Sequence, residues 1–290
     1  MAGVISNRQV SPDFYLLETE CTARDCTAWD GTQGSIPAIR AGQFCMLRSW
    51  DSIPVLSRPI SIFDADGDRI SFLYKTVGRG TAIFSQLKPG DSITVQGPLG
   101  RGFPDVRGRV AMVGGGAGIA PFYLGAKQYR AACSTSAANG TKAALGTSAA
   151  GCTVDLYLGF SGASFLTEEY RGLARGTPLQ VARGTPLQVA RGTPLQHADR
   201  LTVNVGGLIT DDIDPAGYDW IFTCGPEIMM KVLWEKCKAA GVGDRLFVSL
   251  ESRMACGVGA CYGCSRKTVT GNKKVCKDGP VFPAAEVFGL

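Results

Sequence analysis

The chain has 290 residues, a formal net charge of +5 and 45% hydrophobic residues, enough apolar material for two domains of ordinary size and a small appendage. Its apolar runs are short and broken by glycine, proline or charge, so none approaches the roughly 20 residues of a membrane-spanning helix, and the opening stretch MAGVISNRQVSPDFYLLETE lacks the basic-then-apolar order of a secretory leader. The basic residues are scattered singly, with Asn272, Lys273 and Lys274 as about the densest group, which argues against a nucleic acid ligand.

The first hundred residues read as short strands separated by turns: QFCMLRSW, PISIFDA, RISFLYKTV and SITVQGPLG, punctuated by DADGD and KPGD. Strands at this spacing predict a small antiparallel barrel. After GRGFPDVRG the pattern changes. RVAMVGGGAG reads as a buried strand entering a glycine-rich turn, and IAPFYLGAKQYRAA as the helix that follows. TVDLYLGF and WIFTCGP repeat the buried-strand pattern, and EIMMKVLWEKCKAAG is an amphipathic helix ending at a glycine. Strands alternating with helices predict a parallel α/β sheet.

Two segments of this second region are compositionally distinct. Residues 133 to 152, CSTSAANGTKAALGTSAAGC, are small and polar and are expected to form a surface loop. Residues 174 to 197 are a tandem octapeptide repeat, ARGTPLQV, ARGTPLQV, ARGTPLQH. A period of eight with a proline in each unit suits neither a continuous helix nor a solenoid; a duplicated loop, tolerated because loop lengthening costs little entropy, is expected, with partner binding as the alternative. His197, the one histidine of the chain, ends the repeat and takes no catalytic assignment.

Eleven cysteines are an odd count, and four of them fall near the end of the chain in MACGVGACYGCSRKTVTGNKKVC. Cys256, Cys261 and Cys264 form C-x4-C-x2-C, and Cys276 follows after eleven residues. This is the spacing of plant-type [2Fe-2S] sites, whereas a structural zinc site more often pairs two C-x2-C units or adds histidines. Gly257, Gly259 and Gly263 would let the loop turn sharply and aim backbone N–H groups at sulfur. Zinc, or thiols without a metal, are the competing readings. The pattern implies a reducing, cytoplasmic setting.

A one-electron centre needs an electron source. SRPISIF offers Arg58, a planar cation suited to phosphate, then Pro59, Ile60 and Ser61 on an emerging strand; alone, such an arginine is usually a solvated surface residue. FLYKTVGRGTAIFSQLKPGD places a strand before Gly78, Gly80 and Thr81, with a short helix AIFSQL after them. Thr81 is expected to cap that helix, whose N–H groups would seat a pyrophosphate. GGGAGIAP, residues 114 to 121, supplies a second glycine-rich helix entry but is not the G-x-G-x-x-G fingerprint, so nucleotide binding and a tight turn both remain open.

In combination these motifs resemble a known family. A barrel with R-P-x-S and G-x-G-T, followed by an α/β domain opening with GGGxGIAP and closing with TCGPEIMM, resembles the ferredoxin-NADP reductase superfamily. LESRMACGVGACYGC and VCKDGPVF narrow the resemblance to the electron-transfer subunits of heteromeric class 1B dihydroorotate dehydrogenases, over nearly the whole chain apart from residues 133–152 and 174–197. The resemblance implies an FAD-binding barrel over residues 1–104, a NAD-binding α/β domain over 105–246 and a [2Fe-2S] domain over 247–290. It assigns FAD contacts to Arg58, Pro59, Ile60, Ser61, Leu73, Tyr74 and Lys75, with the pyrophosphate at Gly80 and Thr81. It assigns the cluster to Cys256, Cys261, Cys264 and Cys276, and the nicotinamide nucleotide to Gly116, Gly118 and Pro121. Cys224 and Gly225 would face the flavin and nicotinamide as the catalytic pair, although Cys224, ending a buried strand, can equally be packing. GFSGASF holds no arginine to meet a 2′-phosphate, which points to NAD rather than NADP.

The implied function is electron transfer between NADH and a separate FMN-containing dihydroorotate dehydrogenase catalytic subunit, in a hetero-oligomer (heterotetrameric in the family) of pyrimidine biosynthesis. The chemistry belongs to the cofactors, so no general acid or nucleophile is required of the protein. Alternatives are the small subunit of a sulfide dehydrogenase or a ferredoxin-dependent transhydrogenase, a self-sufficient NADH-acceptor reductase, and a non-enzymatic zinc module.

Overall fold

The computed structural model describes residues 1–21, 38–138, 152–173, 179–180 and 200–290. They fall into two compact units, Met1–Phe103 with Leu250–Val281, and Pro104–Ser249 with Phe282–Leu290. The antiparallel barrel and the parallel α/β sheet expected from the sequence are both present.

The first unit is built on β1 (Ala2–Ser11), β2 (Phe14–Glu20), β3 (Phe44–Arg48), β4 (Arg58–Asp66) and β5 (Arg69–Lys75), then the short helix α1 (Arg79–Phe84) and β6 (Ser92–Leu99). The strands close in the order β1-β2-β5-β4-β3-β6. Closure is made where Ala2 and Gly3 of β1 pair with Ile93 and Ser92 of β6. Period-two patterning explains the barrel: along β6, Ile93, Val95 and Leu99 are buried while Ser92 and Thr94 face outward. Leu17, Met46, Leu47, Ile62, Ile70 and Phe72 complete a fully buried core. Each such side chain contributes about 1.5–3 kcal/mol relative to exposure.

The second unit runs β7 (Arg109–Gly115), α2 (Ala120–Ala138), β8 (Thr153–Phe160), α3 (Thr167–Leu173), β9 (Leu179–Gln180), β10 (Leu201–Val205), β11 (Trp220–Cys224), α4 (Glu227–Ala239) and β12 (Leu246–Ser249). The chain ends with a hairpin of β13 (Ser265–Thr268) and β14 (Gly271–Lys274), then α5 (Val275–Asp278), β15 (Val281–Pro283) and α6 (Ala284–Phe288). The sheet order is β15-β12-β11-β7-β8-β10-β9, with parallel pairing from β12 through to β9. In α4, Met230, Leu233, Trp234 and Cys237 form one buried stripe at helical spacing. The helix stops at Ala240, and Gly241 takes the left-handed conformation, φ 70°, that closes it.

Two sequence expectations change here. Helix α2 continues to Ala138, through the first six residues of the segment expected to be loop; alanine and serine offer no helix-breaking side chain, and no glycine or proline intervenes before Asn139. Within the octapeptide repeat, Leu179 and Gln180 pair in parallel with β10; the rest of the repeat, with His197, lies outside the described residues.

Near the start of β8 a buried carboxylate is fully used. Asp155 accepts from Tyr218 Oη at 2.6 Å and from the Arg200 N–H at 2.9 Å, and the hydroxyls of Tyr218 and Tyr157 lie 2.7 Å apart. Burial, followed by the Tyr157 and Asp155 neighbours, raises the Tyr218 hydroxyl well above its ordinary value, so it stays a proton donor. Removing the acceptor would take the charged partner from the buried Tyr218 hydroxyl. Asp155→Ala is therefore expected to lower the unfolding free energy by about 2–3 kcal/mol, read from chemical denaturation; a loss under about 0.5 kcal/mol, the range of ordinary surface substitutions, would show that the network carries little of the lobe's stability.

Candidate functional site

In the barrel, the residues singled out from the sequence gather at the start of β4, the end of β5 and α1. Arg58 opens β4, and its guanidinium lies 5.4 Å from the Trp50 ring centroid while donating to the carbonyls of Leu56 and Ser57. Arg48 approaches the same ring at 6.0 Å and ties the 50–57 segment together through the carbonyls of Trp50, Asp51 and Val55. Trp50 stacks on Phe84 of α1 at 5.4 Å, Phe84 meets Tyr74 edge-on at 5.8 Å, and Tyr74 stacks on Tyr15 at 5.5 Å. Tyr74 Oη donates to Asn7 Oδ1 at 3.1 Å, and Asn7 Nδ2 donates to the carbonyls of Phe84 and Leu87. Burial raises the Tyr74 hydroxyl above its ordinary value, so it remains neutral.

Pro59, Ile60 and Ser61 pair with Met46, Cys45 and Phe44 of β3, and Leu73 and Lys75 pair with Leu16 and Phe14 of β2. Lys75 Nζ lies 5.5 Å from the Phe14 ring centroid. Gly80 is buried beneath the arginine and the indole; a Cβ there would fall 2.5 Å from Arg58 Nε and 2.9 Å from Trp50. Thr81 does not cap the helix in the expected way. The helix begins at Arg79 behind Gly78, and Thr81, its third residue, accepts from the N–H groups of Val77 and Gly78 at 3.0 and 3.2 Å and donates to the Gly78 carbonyl. Glycine at the cap brings no side-chain acceptor, so the hydroxyl reaches back from inside the first turn. Along the rim, Ile53, Val55, Leu56 and Val77 are exposed, Val55 and Val77 at 73% and 78%. Cations over an aromatic face, a glycine floor and exposed apolar side chains together fit a flat, phosphate-bearing aromatic ligand.

In the α/β lobe the two glycine turns meet at the carboxyl ends of adjacent parallel strands. β7 ends at Gly115, and Gly116–Ile119 form a single 3-10 turn before α2, in which Pro121 is the second residue. β11 ends at Cys224, with Gly225 and Pro226 leading into α4. A Cβ on Gly118 would lie 2.3 Å from the Cys224 carbonyl oxygen and 2.5 Å from Gly225 Cα, so only glycine fits. Tyr170 on α3 fixes the same turn by donating to the Ile119 carbonyl at 2.6 Å. The chain lays β8 and β10 to one side of β7, and β11 and β12 to the other. The touching turns therefore sit at the topological switch point, where open parallel sheets bind nucleotides. Cys224 itself is buried.

The four clustered cysteines lie in the first unit, in a segment seated on the barrel. Gly257, at φ 74°, rests against β3 and β6; a Cβ would fall 2.8 Å from Met46 and 3.1 Å from Leu99. Five backbone N–H groups point at sulfur: Val258 and Cys261 to Cys256 at 3.5 and 3.4 Å, Gly263 to Cys261 at 3.4 Å, Gly259 to Cys276 at 3.1 Å, and Cys276 to Cys264 at 3.4 Å. The thiols of Cys256 and Cys261 share a hydrogen bond, as do those of Cys264 and Cys276. Cys264 and Cys276 are buried, Cys256 is half-buried and Cys261 is exposed. Burial penalises the Cys256 thiolate, but the N–H donors of Val258 and Cys261 and the Cys261 thiol outweigh it and bring the group down to about 6. Burial and the Cys264 neighbour push Cys276 up to about 12. Among the described residues no three ligating side chains are gathered closely enough to hold a metal as they stand, but four soft donors with N–H groups aimed at them are the donor set of a thiolate-ligated centre.

Sequence reasoning missed Trp50, Asn7, Tyr15, Phe84 and Tyr170, which reach their sites from separate elements and carry no local motif. It also missed a charge cluster. The β13–β14 register sets Arg266 opposite Lys273, and Lys274 Nζ lies 4.1 Å from the ring centroid of exposed Tyr262. Residues 252–277 contain Arg253, Arg266, Lys267, Lys273, Lys274 and Lys277 and no acidic residue.

Comparison with known proteins connects these features. The iron-sulfur cluster binding domain of dihydroorotate dehydrogenase B matches residues 251–288. The chain is 38% identical over 252 residues to the dihydroorotate dehydrogenase B (NAD(+)) electron transfer subunit of Clostridium acetobutylicum, covering 86% of this chain and 87% of that protein. It is 32% identical to the subunit of the same name from Caldanaerobacter subterraneus subsp. tengcongensis, covering 99% and 97%. Among solved structures, a chain of the NADH-dependent reduced ferredoxin-NADP oxidoreductase shares the fold, with a TM-score of 0.70 and 24% identity, over 99% of this chain and 89% of that one. At these identities and coverages, the chain belongs to the family of dihydroorotate dehydrogenase B electron transfer subunits.

Proposed function

We propose that this chain carries electrons between NADH and a separate FMN-containing dihydroorotate dehydrogenase catalytic subunit, by way of FAD and a [2Fe-2S] cluster. The observation that carries the proposal lies within the first unit. Met46 of β3 touches Gly257 of the cysteine segment and pairs across the sheet with Pro59, the neighbour of Arg58. One residue thus separates the loop of thiolates from the strand proposed to bind the flavin, which supports short-range electron transfer. Bound FAD would supply the exchange between the two-electron chemistry of NADH and one-electron transfer.

Arg58 would neutralise the FAD phosphates from its place over Trp50, and Gly80 lets that guanidinium lie against the first turn of α1, where the pyrophosphate would sit with Thr81 holding the turn. Pro59, Ile60, Ser61, Leu73, Tyr74 and Lys75 would line the isoalloxazine from β4 and β5. Gly116, Gly118 and Pro121 would form the nicotinamide nucleotide's turn, with Cys224 and Gly225 beside it. Cys256, Cys261, Cys264 and Cys276 would hold the cluster, and the N–H donors would stabilise its charge. The cationic β13–β14 hairpin next to it favours an acidic partner surface, since steering by charge raises the association rate.

The direct test is anaerobic purification from the host, with a visible spectrum, an EPR spectrum of the dithionite-reduced sample, and identification of what co-purifies. FAD, acid-labile sulfide and an FMN-bearing partner with orotate activity are expected; absence of both FAD and sulfide, or a different oxidoreductase as partner, overturns the reading.

Thiol reactivity gives a second measurement. A thiol held at about 6 is mostly thiolate above that pH and becomes protonated below it. In metal-free protein, alkylation of Cys256 is expected to rise with pH through about 6, while Cys276, at about 12, labels slowly at neutral pH. Faster labelling of Cys276 would contradict the assigned environment.

Exposed Lys267 and Lys277 probe the partner surface. The double variant Lys267→Glu/Lys277→Glu is expected to weaken association with the catalytic subunit by about tenfold at low salt, with a smaller effect at high salt. An unchanged affinity at both salt concentrations would remove this cationic face, β13 together with α5, from the interface.

A further inference from the structure

The α/β lobe holds two thiols that the proposed electron path does not use, and the fold brings them together from either side of an insertion. Cys133 lies in the last turns of α2 and Cys152 immediately precedes β8, with 18 residues between them in sequence. Their approach is set by the short stretch before β7. Arg107 Nη1 donates to the Ala132 carbonyl at 3.2 Å. The Gly108 carbonyl accepts both from Tyr129 Oη and, at 3.2 Å, from the Thr153 N–H. Tyr129 is one helical turn before Cys133, on the same face, and Thr153 follows Cys152 directly. A single peptide thus anchors both flanks of the insertion.

At this junction the two thiols share a hydrogen bond, and Gly108 N–H donates to Cys152 Sγ. Both cysteines are partly exposed and so are reachable by small molecules. This separates them from Cys21 and Cys45, which are 0% exposed, and from Cys224 and Cys237, which are also buried. The pair is asymmetric. Burial opposes charge at Cys152, but Cys133, Gly108, Tyr129 and Arg107 together favour its thiolate. Burial and the hydrogen bond to Cys152 push Cys133 up to about 12, which keeps it the proton donor of the pair.

We propose that Cys133 and Cys152 are a reversible disulfide site, through which a low-molecular-weight disulfide cross-links the C-terminal turns of α2 to the foot of β8. The Cys152 thiolate attacks one sulfur of the small disulfide, breaking its S–S bond and releasing one small thiolate. Cys133 then loses its proton to solvent and attacks Cys152 Sγ; the mixed disulfide breaks, the protein disulfide forms and the second small thiolate leaves. The two protein thiols are oxidised, the small disulfide is reduced to two thiols, and the two protein protons balance them. The shared anchor at Gly108 holds both flanking segments at one junction, which is the placement that closing the two sulfurs requires. The cross-link also restricts the chain between them in the unfolded state.

The test uses the full-length protein with its bound cofactors, equilibrated anaerobically against glutathione disulfide, quenched with iodoacetamide and digested with trypsin without reduction. Cleavage after Arg130, Lys142 and Arg171 places the two cysteines on peptides 131–142 and 143–171. These peptides are expected joined in most chains and released by dithiothreitol. Cys133→Ser is expected to trap one glutathione on Cys152, and Cys152→Ser to leave Cys133 without a glutathione adduct. Recovery of both wild-type peptides singly alkylated, or joined to other cysteines instead, overturns the proposal, and equal glutathione adducts in the two variants overturn the assigned order of attack. The wild-type digest decides the pairing even where a variant fails to fold.

Discussion

The contact of Gly257 with Met46 is the constraint on which the first unit's arrangement turns. It requires a left-handed backbone and the absence of a side chain at one position, and it places the cysteine segment on a strand that belongs to the barrel core. Met46 is fully buried and paired with Pro59, so the segment cannot shift on the barrel without disturbing the strand that begins at Arg58. Rigid close packing transmits that restraint. A carrier that hands electrons over a short path needs its two centres fixed in this way, and the barrel supplies the fixity through ordinary core packing.

The cysteine segment then resolves an electrostatic conflict. Thiolates cost free energy when buried, yet ligation requires them. Here two of the sulfurs are inside and two lie toward the surface, and backbone N–H groups are directed at all four. The cations of the β13–β14 hairpin add a positive field to the same region. In the α/β lobe the corresponding problem is steric: the turns after β7 and β11 lie backbone against backbone, and Tyr170 locks one of them by a single hydrogen bond.

Much of this was legible in the sequence where the signal is local. The alternation in RISFLYK and SITVQGPL gave β5 and β6, the stripe Met230, Leu233, Trp234 and Cys237 gave α4, and C-x4-C-x2-C gave the candidate ligands. Local signals failed where two residues compete for one role, as when the hydroxyl of Thr81 holds the helix start from its third position because Gly78 cannot. They failed also at α2, where a run of small residues has no stop signal although it has little to bury. The ladder Tyr15, Tyr74, Phe84, Trp50 and Arg58 spans four elements, and the opposition of Arg266 and Lys273 exists only once the hairpin is in register. Neither can be read from spacing along the chain.

The Leu250 N–H donates to the Pro280 carbonyl at 2.9 Å, so the cysteine segment leaves and rejoins the rest of the chain at one point. Compact excursions with adjoining ends are the kind that folds accept or discard whole, because neither flank must be rebuilt to bridge a gap. The cysteine segment is accordingly a closed loop fastened twice, at its joined ends and inside it, where Gly257 meets Met46, so a centre held by its thiols would keep its place on the barrel without help from the rest of the chain.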